Sequence, residues 1–289
     1  MWKKILVPLD GSDLAELALP YAEELAVAFD SELVLLHVSE PSKKEYLHMH
    51  QLYLEKIAGQ TRKLVKRVSP VLVSGKPVEE IVNYTEKNDI RLIVMASHGH
   101  SGIIPWATDG VATKVIEATG VPLLLVKATK RPKTKPERLI SRILLPLDGS
   151  AAGEAAITRV KELKATLGAE VILLDVVAEA QDMRTIGGID HILYPETEIE
   201  TFKKEAKEYL DKVYKRLQPG KGELKAEIRS GKVVKEILNY AKKKKVGLIA
   251  IASHGHSGKT KWVFGSTAQK VIEDSPIPVL VVKSAPGVA

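Results

Sequence analysis

Short runs of aliphatic and β-branched residues alternate along the chain with longer stretches whose apolar positions recur every three or four residues. Such alternation is the signature of βα units wound around a parallel sheet. It predicts strands over about 3–8, 32–38, 70–73, 91–96 and 122–127, and again over about 141–147, 170–177, 224–229, 247–252 and 278–283. Helices fill the intervals: Leu14, Leu17, Ala18, Tyr21, Leu25 and Ala28 keep helical spacing, and Ile81, Val82 and Tyr84 begin a similar stripe. These stripes read as core. The second set of strands leaves a longer gap between its second and third members, with Gly187-Gly188 and Pro195 inside it, where a mobile loop is expected.

The two sets are copies of one another. Ile5-Leu-Val-Pro-Leu-Asp-Gly-Ser12 recurs as Ile143-Leu-Leu-Pro-Leu-Asp-Gly-Ser150, and Ala96-Ser-His-Gly-His-Ser-Gly102 recurs unchanged as Ala252 to Gly258. Between them, Ser74-Gly-Lys-Pro-Val-Glu-Glu-Ile-Val-Asn-Tyr84 matches Ser230-Gly-Lys-Val-Val-Lys-Glu-Ile-Leu-Asn-Tyr240. The period exceeds that of any solenoid repeat, so each copy is expected to be a whole domain with its own core. The reading is two tandem, doubly wound α/β domains of five parallel strands each, residues 1–127 and 141–289, joined by a linker over 128–140.

Composition narrows the chemistry. At 289 residues, with 45% hydrophobic and 27% charged residues, the chain suits two packed domains. No apolar run is long enough to cross a bilayer, and Pro8 and Asp10 interrupt the first one before a signal-peptide core could form, so a cytoplasmic protein is expected. The absence of cysteine excludes disulfides, thiolate catalysis and cysteine-ligated metals. The net charge of +7 sits largely in the linker and at Lys242 to Lys245, a helix end where cations meet the dipole, so nucleic acid is not the expected partner.

Ligands of open α/β sheets settle beyond the carboxyl ends of the strands, and three motifs fall there. Pro8 to Ser12 and Pro146 to Ser150 each place a carboxylate, Asp10 or Asp148, after the first strand, where it can accept from an exocyclic amine or ribose hydroxyl. The same Asp-Gly-Ser also serves as ordinary turn and cap chemistry. Ser253-His-Gly-His-Ser-Gly-Lys-Thr260, followed by Gly265-Ser266-Thr267, offers free amides and hydroxyls at a helix start, an anion cradle. Gly75 and Gly231, after the third strands, are either base-flanking or simple turn glycines. Gly258-Lys259-Thr260 is not a P-loop, because Ser253 stands where the first glycine is required. His98, His100, His254 and His256 lack the further ligands a metal would need.

With these motifs in place, the chain resembles the universal stress protein family over nearly its whole length, twice. That resemblance implies a Rossmann-like fold of the adenine nucleotide α-hydrolase-like kind. Nucleotide-binding members carry G-x2-G-x9-G-[ST] after the fourth strand. Here Gly255, nine residues, Gly265 and Ser266 match, while Ala252 replaces the first glycine. The resemblance implies that Asp148 and Val176 hold adenine, that Gly231 flanks the ribose or base, and that Gly255, Gly258, Gly265, Ser266 and Thr267 hold phosphates. Pro146, Ala252 and His254 complete the set, and Asp10, Val38, Gly75, Gly99 and Gly102 are the matching positions of the first copy. That copy departs from the motif: Asp109 stands at the glycine position and Gly110 at the serine position, so an empty or phosphate-poor site is expected there.

The resemblance implies a regulatory stress-response protein binding ATP, ADP or AMP, with Mg²⁺ accompanying ATP. A slow ATPase or AMP-transferring enzyme is the alternative, and a nucleotide-free interaction scaffold a third reading. The family habit of pairing through last strands implies an internal pseudo-dimer, which can dimerise again, and protein partners the sequence does not name.

Overall fold

The computed structural model describes residues 2–40, 46–97, 110–127, 138–185, 188–193, 195–255 and 264–284, with backbone alone for 180–193. The linker residues 128–137 and the loop positions Gly99, Gly102 and Gly258 lie outside these. The chain divides into two compact units, Met1–Leu139 with Pro276–Lys283, and Ile140–Ser275 with Ser284–Ala289.

In the first unit the strands are β1 (Lys4–Pro8), β2 (Glu32–Ser39), β3 (Arg67–Ser74), β4 (Leu92–Ala96) and β5 (Leu123–Val126), joined by β12 (Val279–Val282). Their order is β12-β5-β4-β1-β2-β3. All neighbours are parallel except β12 and β5, which run antiparallel with Val279 opposite Leu125 and Val281 opposite Leu123. The helices are α1 (Leu19–Phe29), α2 (Leu47–Thr61), α3 (Pro77–Lys87) and α4 (Val111–Ala118). Parallel strands covered on both faces need apolar side chains on both faces, and Ile5, Leu6, Val7 and Leu33 to Leu36 are accordingly buried. The edge strand β3 is only half-buried, which lets it carry Pro70.

The second unit repeats the plan with β6 (Arg142–Leu147), β7 (Glu170–Val177), β10 (Leu224–Ser230) and β11 (Leu248–Ala252), in the order β10-β7-β6-β11 and all parallel. Its helices are α5 (Ile157–Leu167), α6 (Glu196–Leu217), α7 (Val233–Lys243) and α8 (Ser266–Asp274). In both units a short 3₁₀ turn, Ala15–Ala18 or Gly153–Ala156, leads into the first helix. The gap where a loop is expected holds instead a two-stranded antiparallel hairpin, β8 (Ala180–Thr185) and β9 (Gly188–Leu193), with Thr185 opposite Gly188. Its strands carry little alternation of apolar and polar residues, so the pattern of the sequence does not announce them. The doubly wound parallel architecture read from the sequence is the one observed.

The strand order places a reversal between β6 and β11. The chain winds from β6 out to β7 and β10, then returns to the other side of β6, and the loops after β6 and β11 part at that crevice.

Candidate functional site in the second unit

A crevice of about 230 Å³ opens at this reversal. Its floor is the carboxyl ends of three strands: Pro146 and Leu147 from β6, Leu174 and Val176 from β7, and Ile251 and Ala252 from β11. One wall is the apolar face of α7 at Val233 and Ile237. The amino end of α8, which packs beside α7, also lines the crevice with Gly265, Ser266, Thr267 and Ala268. An apolar slot beside bare amides can take a flat, hydrophobic ring system with a charged tail.

The turn after β6 fixes Asp148. Gly149 takes φ +80°, and Asp148 Oδ1 accepts both the Ser150 amide, at 3.0 Å, and the Ser150 hydroxyl, at 2.6 Å. Ser150 in turn accepts the Gly153 amide at 2.9 Å, starting the turn that leads into α5. The carboxylate is held between two glycines. A Cβ on Gly153 would overlap Asp148 Oδ1, and one on Gly255 would overlap Oδ2. Glycine at 255 therefore lets the loop after β11 close onto the carboxylate.

The amino end of α8 is capped by Gly265 in extended backbone, φ −64° and ψ 152°, with no side-chain cap. Gly265 donates its own amide to the Ser253 carbonyl at 2.8 Å, which ties α8 to the loop after β11. The first intrahelical bond runs from Gln269 N–H to the Gly265 carbonyl, leaving the amides of Ser266, Thr267 and Ala268 without helical partners. They carry the positive end of the helix dipole into the crevice. Ser266 is exposed and Thr267 half-buried, so their hydroxyls add donors at the same point.

On the far side of Asp148 lies a polar group formed by the other face of the sheet. Tyr209 of α6 sits beside Glu154, and Asp175 is buried at the end of β7. Burial, then the Glu154 carboxylate, and lesser contributions from Asp148 and Asp175, push the Tyr209 phenol well above its ordinary value. Arg216 offsets Glu154 with an ion pair of 2.6 Å.

Of the residues singled out in the sequence, the fold gathers Pro146, Asp148, Val176, Ala252, His254, Gly255, Gly265, Ser266 and Thr267 around one cavity. Gly231 does not line it. Its φ of +140° and its amide bond to the Val177 carbonyl at 3.0 Å make it the residue that turns the chain from β10 into α7. Gly75 holds the matching place, bonding the Ser39 carbonyl at 3.0 Å. In the first unit, Asp10 repeats the Asp148 turn, accepting the Ser12 amide at 3.0 Å and its hydroxyl at 2.6 Å, and Val38 lies half-buried on β2. Sequence reasoning missed Gly153 and the α7 wall. Gly153 lies three residues beyond the matched Asp-Gly-Ser segment, where the first copy has Ala15 and the two sequences have already diverged. Val233 and Ile237 have helical spacing that reads as core.

The universal stress protein family model matches residues 1–127 and 140–283. A universal stress protein of Methanocaldococcus jannaschii is 32% identical over 145 residues, covering 45% of this chain and 85% of the relative. Another, from Bacillus subtilis, is 32% identical over 148 residues, covering 44% of this chain and all of the relative. The crystal structure of a universal stress protein from Archaeoglobus fulgidus shares the fold, with a TM-score of 0.70 at 21% identity over 99% of this chain and 100% of that one. The two matched segments take up most of the sequence, and the chain belongs to the universal stress protein family as a tandem of two of its domains.

Proposed function

We propose that the second copy binds an adenine nucleotide and that the protein acts by binding in a regulatory role. One observation carries this reading: the crevice joins an apolar slot to the uncapped amino end of α8. The slot between Val176 and the α7 wall suits a purine. Asp148 supplies an acceptor for an exocyclic amine or a ribose hydroxyl, and the amides and hydroxyls of Ser266 and Thr267 suit phosphate oxygens. ATP, ADP and AMP all meet these requirements. Mg²⁺ would arrive with ATP on its phosphate oxygens; among the described residues no group of three or more His, Asp or Glu is placed to hold a metal. No helix among the described residues is long and apolar enough to cross a membrane.

We also propose the domain limits 1–127 and 141–289 and an internal pairing of the two copies through their last strands. The antiparallel ladder of β12 with β5 inside the first unit supports the pairing. Denaturing the purified protein and chromatographing the supernatant tests the ligand, with titration calorimetry against ATP, ADP and AMP giving affinities. Nucleotide released on denaturation, or one strong site by titration, is expected. Neither release nor binding would end this reading.

A further inference from the structure

Ser284 lies two residues beyond β12, outside every motif considered so far, yet it meets the phosphate side of the crevice from beneath. Its amide donates to Ser253 Oγ at 3.1 Å. Its hydroxyl donates to the Ala152 carbonyl at 2.9 Å, at the turn entering α5. The same oxygen lies 3.4 Å from the His254 amide, which points at it as a weak donor. One side chain thus joins the loop after β11 to the turn that carries Asp148.

Ser253 is the other half of this clasp. It is almost fully buried, at 1% exposure. Its carbonyl accepts the Gly265 amide, and its Oγ accepts the Ser284 amide while lying 3.1 Å from His254 Nδ1. The Oγ has two lone pairs and one proton, so it can hold the Ser284 amide and His254 Nδ1 together whichever ring nitrogen carries the hydrogen. Ser253 therefore fixes the heights of both cradle glycines: Gly255, two residues on, and Gly265 by a direct bond. The Ser284 amide holds Ser253, and the Ser284 hydroxyl ties the same loop, at the His254 amide, to the Ala152 carbonyl.

In the first copy the serine and histidine recur as Ser97 and His98, but Ala128 stands where Ser284 stands in the second. The hydroxyl is a feature of the second copy alone. We propose that Ser284 is a positioning residue of the phosphate cradle, holding the turn from Ser253 to Gly255 against the amino end of α8 before any ligand arrives. This rests on the nucleotide reading above, and a preformed cradle lowers the ordering cost that binding would otherwise incur.

The test compares ligands with and without phosphate on the full chain. Ser284→Ala is expected to weaken AMP and ATP by about fivefold, the size of one hydrogen bond, and to leave adenosine unchanged. Ser284→Thr keeps the hydroxyl and is expected to restore AMP affinity. Equal losses for adenosine and AMP, or none for either, would overturn the assignment. Exchange of the Gly265 amide in ligand-free protein gives an independent reading. Ser284→Ala is expected to accelerate it about fivefold; unchanged protection would count against the clasp. If the wild type binds neither adenosine nor nucleotide, the proposed function fails, and this exchange measurement alone decides the clasp.

Discussion

The two copies agree closely where the fold is made and part company where a phosphate would sit. Both hold the Asp-Gly-Ser turn with the same pair of bonds, 3.0 and 2.6 Å, at Asp10 and at Asp148. Around that shared turn several substitutions separate them, Asp109 for Gly265 among them. Ala15 stands at the place of Gly153, where an added Cβ would overlap Asp148 Oδ1 in the second copy. Ala128 stands at the place of Ser284 and lacks its hydroxyl. Gly110 replaces Ser266, and α4 begins one residue later than α8, with Gly110 itself taking the extended cap at φ −66° and ψ 155°. One residue less of helix withdraws the bare amides by about 1.5 Å. On the function proposed above, the scaffold is indifferent to ligand and competence would rest on a few loop and cap positions.

The largest expected effect comes from giving the second copy the first copy's charge. Gly265→Asp copies Asp109 and sets a carboxylate among the amides that would face phosphate. Like charges at such a distance repel by roughly 3 kcal/mol in a partly wet site, so ATP affinity by calorimetry is expected to fall about a hundredfold. The fold should survive, because an aspartate at the cap position suits a helix start. Retained affinity would mean the tail of the ligand lies elsewhere. The converse pair, Asp109→Gly with Gly110→Ser, is expected to strengthen ATP binding to the first copy, read as a rise in stoichiometry.

A second comparison concerns stability. At the foot of each sheet the same glutamate, Glu32 or Glu170, has different neighbours: Lys4 and Ser69 in one copy, Arg142 and Lys225 in the other. Glu170 is paired with Arg142 at 2.5 Å and Lys225 at 2.9 Å, while Glu32 has Lys4 only at 3.8 Å and accepts the Ser69 hydroxyl at 2.7 Å. Burial would raise the Glu170 carboxyl, but the bonds from Lys225 and Arg142 outweigh it and hold it below the ordinary value. A depressed folded value means stability that is full above the unfolded value and lost as pH falls through the folded one. Glu170→Gln is expected to cost about 2 kcal/mol by urea unfolding at pH 7. The difference from wild type should shrink on acidification below about pH 4, the unfolded carboxylate range. Glu32→Gln is expected to cost less than about 1 kcal/mol, as a weak pair does. Equal costs would show that the two triads are not distinguished by geometry.

How far these differences could be read in advance follows from their range along the chain. Strands such as Ile5 to Val7 and Leu173 to Leu174 announce themselves because both faces are buried, so every position is apolar. The edge strand β3 starts at Arg67, earlier than its apolar run suggests, because its first residues are partly solvated and need not be apolar. Gly255, Gly265 and Asp148 were legible because turn and cap chemistry is local. Ser284 was not, because its partners Ala152 and Ser253 lie far off in sequence and a serine after a strand has no local signature. Gly231, open in the sequence between a base-flanking and a turn role, has in its positive φ a sufficient reason to be glycine.

The smallest effect isolates the hydroxyl from the helix that carries it. Ser266→Ala keeps the α8 amides and the Gly265 cap but removes one donor, whereas Ser266→Gly copies Gly110 and also loosens the first helical turn. If the α8 amides do most of the holding, alanine should weaken ATP by about threefold to fivefold, one hydrogen bond's worth, and glycine by a further few-fold. Circular dichroism should show both variants folded. A loss with alanine as large as that expected for Gly265→Asp would move the weight of phosphate binding from the backbone to the side chain. The gap between the two copies would then lie in one hydroxyl at position 266 and not in where the helix begins.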